Sequence, residues 1–274
     1  MSRSFSIAYE SETDPNTNLP FGTRNGRNIT LTTPLQLDSR VRKGYRIVSF
    51  ALSAVIPNVY TYQGTNTQTF RLSKDGGTSW TDCSLKVGRY SIRNIQDSIN
   101  NIANQLSYYT STSDPAFILS YNPATKFVYC SIDSTKMVGG VQFGIDFSVS
   151  NLCEMLGFQA QKTFITDNLF TADDIPQIDW QGTSVNINTS FISKSMNVNG
   201  KWVNTLVNIP ITNESANVEI YYPSASTFSY SPLIEADVSN YISNYDINLR
   251  TNKGKELVVI YGRFRIDIEV VINI

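Results

Sequence analysis

The densest potential chemistry in this 274-residue chain is acidic: Asp167, Asp173, Asp174 and Asp179 fall within one short stretch. A calcium ion needs six to eight oxygens in a tight loop. This stretch has neither the alternating acids nor the closing glutamate of an EF-hand, so it reads as a solvated acidic loop. Glu10, Glu12 and Asp14 would suit a glycosidase only as an opposed pair, and their turn-rich setting predicts exposure instead. No histidine occurs anywhere, which removes the commonest general base and the commonest transition-metal ligand. There is no Gly-x-Ser-x-Gly elbow, and Gly76-Gly77 has no Gly-Lys-Ser/Thr after it, so it is not a phosphate loop. Cys83, Cys130 and Cys153 are odd in number and share no metal-like spacing, which predicts buried thiols from a reducing compartment. The residues therefore assign no catalytic, cofactor-binding or metal-binding position and no cofactor. The expectation is a protein that is not an enzyme.

Composition narrows the class further. Charged residues make up only 16% of the chain, and the remaining polarity comes from Asn, Ser and Thr, which suit strands and turns better than exposed helices. A net charge of −1 leaves no basic footprint, so direct nucleic-acid binding is not expected. No apolar run is long enough to span a membrane, and no secretory signal is expected at the start. Asn-x-Ser/Thr sites at Asn28, Asn188 and Asn213 accordingly read as chance. Clusters at Tyr60/Tyr62, Tyr108/Tyr109 and Tyr221/Tyr222 leave packing, subunit contact and ligand stacking open.

The elements that would position any site are mostly strands. Phe264, Ile266, Ile268, Val270, Ile272 and Ile274 alternate with Arg265, Asp267, Glu269 and Asn273, Val271 being the exception. A period of two predicts a half-buried strand set within a large sheet. Further strands are predicted from Asn28, over Tyr45–Ile56 up to Pro57, and over Ser184–Asn188, Val207–Ile211, Val218–Tyr222 and Asp246–Arg250. Hairpins are predicted over 67–87 and 117–132. Asn199-Gly200, between Met196–Val198 and Lys201–Val203, gives the strongest two-residue turn signal. One helix is clear: Ile92, Ile95, Ile99, Ile102 and Leu106 form a single stripe behind Ser91, which is placed to cap it. A short second helix is predicted over 151–156, capped by Asn151 and Glu154 and stopped by Gly157. Residues 160–183 read as an acidic loop, and residues 1–28 as a polar N-terminal arm able to gain order on a neighbouring subunit. Regularly spaced strands and turns predict an all-β sandwich or barrel.

The order of these elements resembles a known family. The apolar strand breaks at Ile56-Pro-Asn-Val-Tyr60, and a hairpin with Phe70-Arg-Leu follows. Gly88-Arg-Tyr-Ser91 leads into the amphipathic helix, and next come the Phe117…Tyr121/Phe127…Ile132 hairpin and Met155-Leu-Gly-Phe158. Leu206…Ile209-Pro-Ile and Tyr245-Asp-Ile-Asn-Leu-Arg-Thr-Asn-Lys-Gly-Lys-Glu-Leu precede the long terminal strand. Over roughly 44–158 and 184–274 this is similar to the penton and minor capsid (jelly-roll) proteins of virophages, polinton-like viruses and related eukaryotic dsDNA viruses. The resemblance implies a jelly-roll β-sandwich over 29–274, with a helix-and-hairpin insert or side layer near 86–160. It also implies a structural capsid subunit of an icosahedral dsDNA virus, present in the virion and made in the host cell interior. The penton reading makes the protein a homopentamer at the five-fold vertices, whose partners are itself and the neighbouring major capsid protein. A minor or cement role and a β-sandwich glycan-binding or attachment module stand as alternatives, and a carboxylate-dependent hydrolase stands further off.

Overall fold

A computed structural model describes residues 3–10, 26–37, 40, 42–62, 64–111, 113–165, 167–178, 184–192, 196–198, 201–203, 205–210, 218–222, 234–235, 238, 241–252 and 260–272. The chain divides into two compact units: Met1–Ile56 with Gln181–Ile274, and Pro57–Trp180. Strands β1 (Arg3–Glu10), β2 (Gly26–Gln36) and β3 (Lys43–Val55) open the first unit. The second unit holds β4 (Thr61–Tyr62), β5 (Thr65–Asn66), β6 (Thr69–Ser73), β7 (Thr81–Ser84) and helix α1 (Ile92–Gln105). It continues with β8 (Phe117–Tyr121), β9 (Val128–Ile132), β10 (Gly144–Asp146), α2 (Leu152–Met155), β11 (Thr163–Phe164) and β12 (Leu169–Thr171). The first unit resumes with β13 (Ser184–Thr189), the paired β14 (Met196–Val198) and β15 (Lys201–Val203), and β16 (Thr205–Pro210). It ends with β17 (Val218–Tyr222), β18 (Ile234–Glu235), β19 (Tyr241–Thr251) and β20 (Ile260–Ile272).

The first unit is a jelly roll, and its pairing shows why. One sheet has the order β1-β20-β3-β17, with β18 also on β3; the other has β16-β13-β19-β2. Counting the eight long-range strands along the chain, the first pairs with the last, the second with the seventh, the third with the sixth and the fourth with the fifth, all antiparallel. A ribbon folded on itself this way and rolled into two sheets is the double Greek key of the jelly roll. The second unit enters between β3 and β13, the third and fourth strands of the roll. The Tyr45 hydroxyl, on β3, donates to the Thr205 carbonyl of β16 at 3.4 Å, tying one sheet to the other.

The terminal alternation holds where it can be followed: Ile268 and Val270 are buried while Glu269 between them is half-buried. β20 pairs with β1 on one side and β3 on the other. The register with β3 slips between Asp267 and Ile268, whose partners are Ser49 and Ile47, so Val48 is an extra residue. The β3 sequence changes parity at that point, with apolar residues at 45 and 47 and then at 50, 52 and 54. A bulge absorbs one residue and restores the pairing phase, so Tyr45 and Ile47 are in register with Val270 and Ile268, and Phe50 and Leu52 with Ile266 and Phe264.

Two expectations change. Residues 1–28 are not simply an arm, because Arg3–Glu10 is a strand of the roll. Its alternating Phe5, Ile7 and Tyr9 are in register with Val270, Ile268 and Ile266. The independent unit is also wider than 86–160, spanning Pro57–Trp180. Its stretch beyond 160, expected to be loop, contributes β11 and β12 to sheets of order β11-β10-β6-β7 and β12-β9-β8.

The second unit has its own core. Phe117, Phe143, Phe147, Phe158 and Phe164 are all buried, and the ring pairs 117/143, 117/147, 147/164 and 158/164 meet at centroid distances of 5.1–6.4 Å. Helix α1 forms as its stripe predicts. Ser91 caps it, its hydroxyl accepting from Asn94 N at 3.1 Å in a capping box, and Ile95, Ile99 and Ala103 are buried. The same helix closes the edge of β8. Gln96 Oε1 accepts from Leu119 N at 2.9 Å, and Asn100 Nδ2 donates to the Phe117 carbonyl at 2.8 Å. Four residues apart on one helix face, these amides replace a missing strand, which is one way an exposed edge is blunted.

Replacing Ile268 by Asp should cost several kcal/mol, since an unpaired charge would enter a buried site. Glu269→Gln should change stability by less than about 1 kcal/mol. Thermal melts of the two variants measure this, and equal shifts would contradict the facing of β20.

Candidate functional site

The acidic stretch proves to be a clasp. Helix α2 ends at Gly157, whose φ of +91° is open to glycine and strained for other residues. The Gly157 carbonyl accepts from Asp173 N at 3.0 Å and from Asp174 N at 2.9 Å. In return Asp173 Oδ2 accepts from Gln159 N at 2.8 Å and Ala160 N at 3.0 Å. Those backbone donors hold the Asp173 carboxyl below its usual range. Asp174 bonds Ile175 N, and Asp167 accepts from Ser134 N at 2.7 Å. Each carboxylate serves a different stretch of backbone, and Asp179 lies outside the described residues. Among the described residues no group of three or more His, Cys, Asp or Glu side chains is arranged to hold a metal ion.

The other candidates also carry structural work. Glu10 sits on β1 in register with Arg265, while Glu12 and Asp14 lie outside the described residues. Gly76 and Gly77 adopt positive φ in the turn between β6 and β7. There the Asp75 carboxylate accepts from Ser79 N at 2.9 Å and from the Ser73 hydroxyl at 2.7 Å. With the Ser79 hydroxyl as the strongest contributor, these bonds hold Asp75 down to about 2. Cys130 and Cys153 are buried and free, and Cys83 is partly buried and free. Burial pushes all three thiols up, Cys153 to about 12, which keeps them from acting as ready nucleophiles. Tyr60, Tyr108 and Tyr109 pack inside, and Tyr109 donates to Asn100 Oδ1 at 2.6 Å.

Asn151 differs from expectation. It makes no side-chain cap to α2. Its Oδ1 accepts from Asn66 N at 3.0 Å and its Nδ2 donates to Glu154 at 3.1 Å, so a long-range bond takes the atom that would have capped.

Sequence reading missed the most buried charge among the described residues. The Asp146 side chain is 2% exposed and pairs with Arg71. It accepts from Arg71 Nε at 2.9 Å, Ser148 N at 2.8 Å and the Thr163 hydroxyl at 2.9 Å, joining β6, β10 and β11. Burial alone would raise its carboxyl, but the bonds from Ser148, Arg71 and Thr163 outweigh it and hold it below the usual range. The Arg71 guanidinium also lies over the Trp80 ring, 5.6 Å from its centroid. In the sequence Phe70-Arg-Leu and Ile145-Asp-Phe carry no shared pattern, so only the strand register brings the pair together.

No protein-family model matches this chain, and no curated protein matches it. Among solved structures it is similar to the mavirus penton protein, with 8% sequence identity and a TM-score of 0.47, over 98% of this chain and 99% of that one.

Gly157→Ala should be strongly destabilising, because the added Cβ would stand 2.2 Å from the Asp174 carbonyl in a left-handed backbone. A thermal melt checks it, and a shift no larger than that of an exposed Ala substitution would refute the clasp. Acid should loosen the second unit through Asp146. Its folded value is depressed, so its stabilisation is complete above the unfolded value near about 3.9 and is lost as pH falls through the lower folded value. Melting temperature should therefore drop below about pH 4, and Asp146→Asn should lower stability at neutral pH while flattening that acid limb.

Proposed function

We propose that the protein is a structural capsid subunit of an icosahedral dsDNA virus, and specifically the penton subunit, a homopentamer at the five-fold vertices. The observation that carries the reading is the strand pairing of the first unit, first with last and inward to fourth with fifth. Eight-stranded rolls of this kind build viral capsid and lectin domains. The sequence resemblance to penton and minor capsid proteins selects the capsid among these. The absence of histidine is in keeping with a scaffold, since a metal-centred or base-catalysed site loses its usual residue.

Five copies about one axis meet through heterologous contacts, one surface of each subunit against a different surface of the next, and the ring closes when the rotation is a fifth of a turn. In this reading the partners are other copies of the chain and the neighbouring major capsid protein. The protein belongs to the virion after synthesis inside the host cell. The second unit, entering between the third and fourth strands of the roll, is then an addition to a subunit whose sheets are complete without it. Because Arg3–Glu10 is part of the roll, removing residues 2–24 should weaken the fold as well as any assembly.

Light scattering on the purified protein measures the particle. The expected mass is about five times the 30.7 kDa of the chain. A strictly monomeric protein at high concentration would overturn the penton reading, and a stable particle of another symmetry would move the protein to a minor or cement role.

A further inference from the structure

Helix α1 closes one edge of the sheet β12-β9-β8, and the opposite edge stands open. Ile132 N donates to the Asn168 carbonyl at 3.4 Å and Ala172 N to the Val128 carbonyl at 2.8 Å. Bonded and non-bonded pairs alternate along an antiparallel ladder. Asn168, Phe170 and Ala172 therefore turn their backbone groups toward β9, while Leu169 and Thr171 turn theirs away from it. Among the described residues β12 pairs with β9 alone, and the outward N–H and C=O groups of Leu169 and Thr171 have no partner. Two donors and two acceptors thus line this edge, whereas at the β8 edge Gln96 and Asn100 take up the corresponding groups.

The side chains beside the open edge are uncharged. Leu169, at 66%, is the most exposed large apolar side chain among the described residues. Register puts it in one row with Ser131 and with Ile118, which is also exposed. No charged residue occurs in β8, β9 or β12. Charge begins just past the ends of β12, where Asp167, Asp173 and Asp174 are exposed. Residues 163–193 contain these three, Asp179 and no Lys or Arg. Backbone N–H groups occupy only part of each carboxylate, which offers about four acceptor positions when ionised. Asp167 and Asp173 stand six residues apart, roughly 20 Å along an extended chain.

Backbone geometry and charge together select the occupant. An extended main chain repeats its donors and acceptors at the spacing of Leu169 and Thr171, and sheet edges take such segments as added strands. The same edge of a second copy is a poor match. Antiparallel pairing about Phe170 would set Asp167 opposite Asp173, and like charges directly opposite are destabilising. Strand β7, at the end of the other sheet, would bring exposed Asp82 toward the same acids. A strand with Lys or Arg on either side of a short β-branched run satisfies both the backbone groups and the carboxylates. We propose that the open edge of β12 docks an extended basic segment of another protein, added as a fourth strand to β12-β9-β8. The proposal does not rest on the capsid reading and holds for a monomer as for a ring.

The test is to titrate the full-length protein into fluorescein-labelled Lys-Thr-Val-Thr-Val-Thr-Lys and follow fluorescence anisotropy. Two further peptides serve as comparisons, one with Glu at both ends and one with Pro-Pro in place of the first Val-Thr. The Lys peptide should bind saturably, at least tenfold more tightly than either, and more weakly as salt is added. Thr171→Pro removes an outward N–H but no bond to β9, at a kind of position where edge strands accept proline, and should weaken binding at least tenfold. Asp167→Asn combined with Asp173→Asn keeps an oxygen for each backbone N–H and should do the same. In the unaltered protein the Lys peptide should slow hydrogen exchange at the Leu169 and Thr171 amides, a readout that needs no variant to fold. Absence of saturable binding, equal binding of the Glu or Pro-Pro peptide, unaltered affinity in the variants, or unslowed exchange at both amides would each overturn the proposal.

Discussion

Strand β20 hydrogen-bonds on both sides, to β1 along Arg3–Glu10 and to β3 from Lys43 to Val55, and the first unit depends on that double ladder. Its partners come from the opposite end of the sequence, so the sheet cannot register until distant segments meet. Loop-closure entropy must be met before such contacts return anything, which makes folds of this contact order slow. Two features make the register specific once it forms. Apolar residues recur every second position on β20, so a one-residue slip would turn them to the wrong face. The bulge at Val48 then matches β3, whose own apolar parity changes there, to a strand whose parity does not.

The second unit makes no comparable demand on the roll. Its buried cluster runs from Val59 to Ala172 and draws every member from within the unit. Several of its polar residues hold loops and edges to that cluster. Asp173 ties the exit of α2, Asp75 shapes the turn after β6, Asp146 joins three strands, and Gln96 with Asn100 covers an edge. Asp167, Asp173 and Asp174, which look on paper like metal ligands, thus accept from backbone N–H groups.

How far the sequence revealed this depends on the range over which each signal acts. The terminal strand, the α1 stripe with its Ser91 cap, the hairpins and the Gly157 stop were all legible, because periodicity and capping act within a few residues. The all-β class followed from them. β1 was harder: Phe5, Ile7 and Tyr9 alternate correctly, but Arg3, Ser4, Ser6 and Glu10 around them resemble an arm, and only β20 decides the matter. β11 and β12 are too short to carry any period. Pro57 was legible as the end of a strand, but nothing local at Pro57 or Trp180 marks either as the edge of a separate unit. The Arg71–Asp146 pair was invisible for another reason. Each member sits in an unremarkable alternation, and only cross-strand register, which a single sequence does not encode legibly, brings them side by side.

The low charge of the chain links its fold to its surfaces. An antiparallel sheet needs a polar outer face, and most proteins supply it with Lys, Glu, Arg and Asp. Here the described outer face of β13 and β19 is largely amide, with Asp246 and Arg250 offsetting each other. Amides keep a sheet wetted without building a field around the molecule. With a net charge of −1 per chain, identical copies approach with little mutual repulsion, whereas strong net charge favours the monomer. The same neutrality weakens long-range steering, so encounter depends on local concentration and short-range fit. Low net charge also gives nucleic acid and other polyanions little to hold.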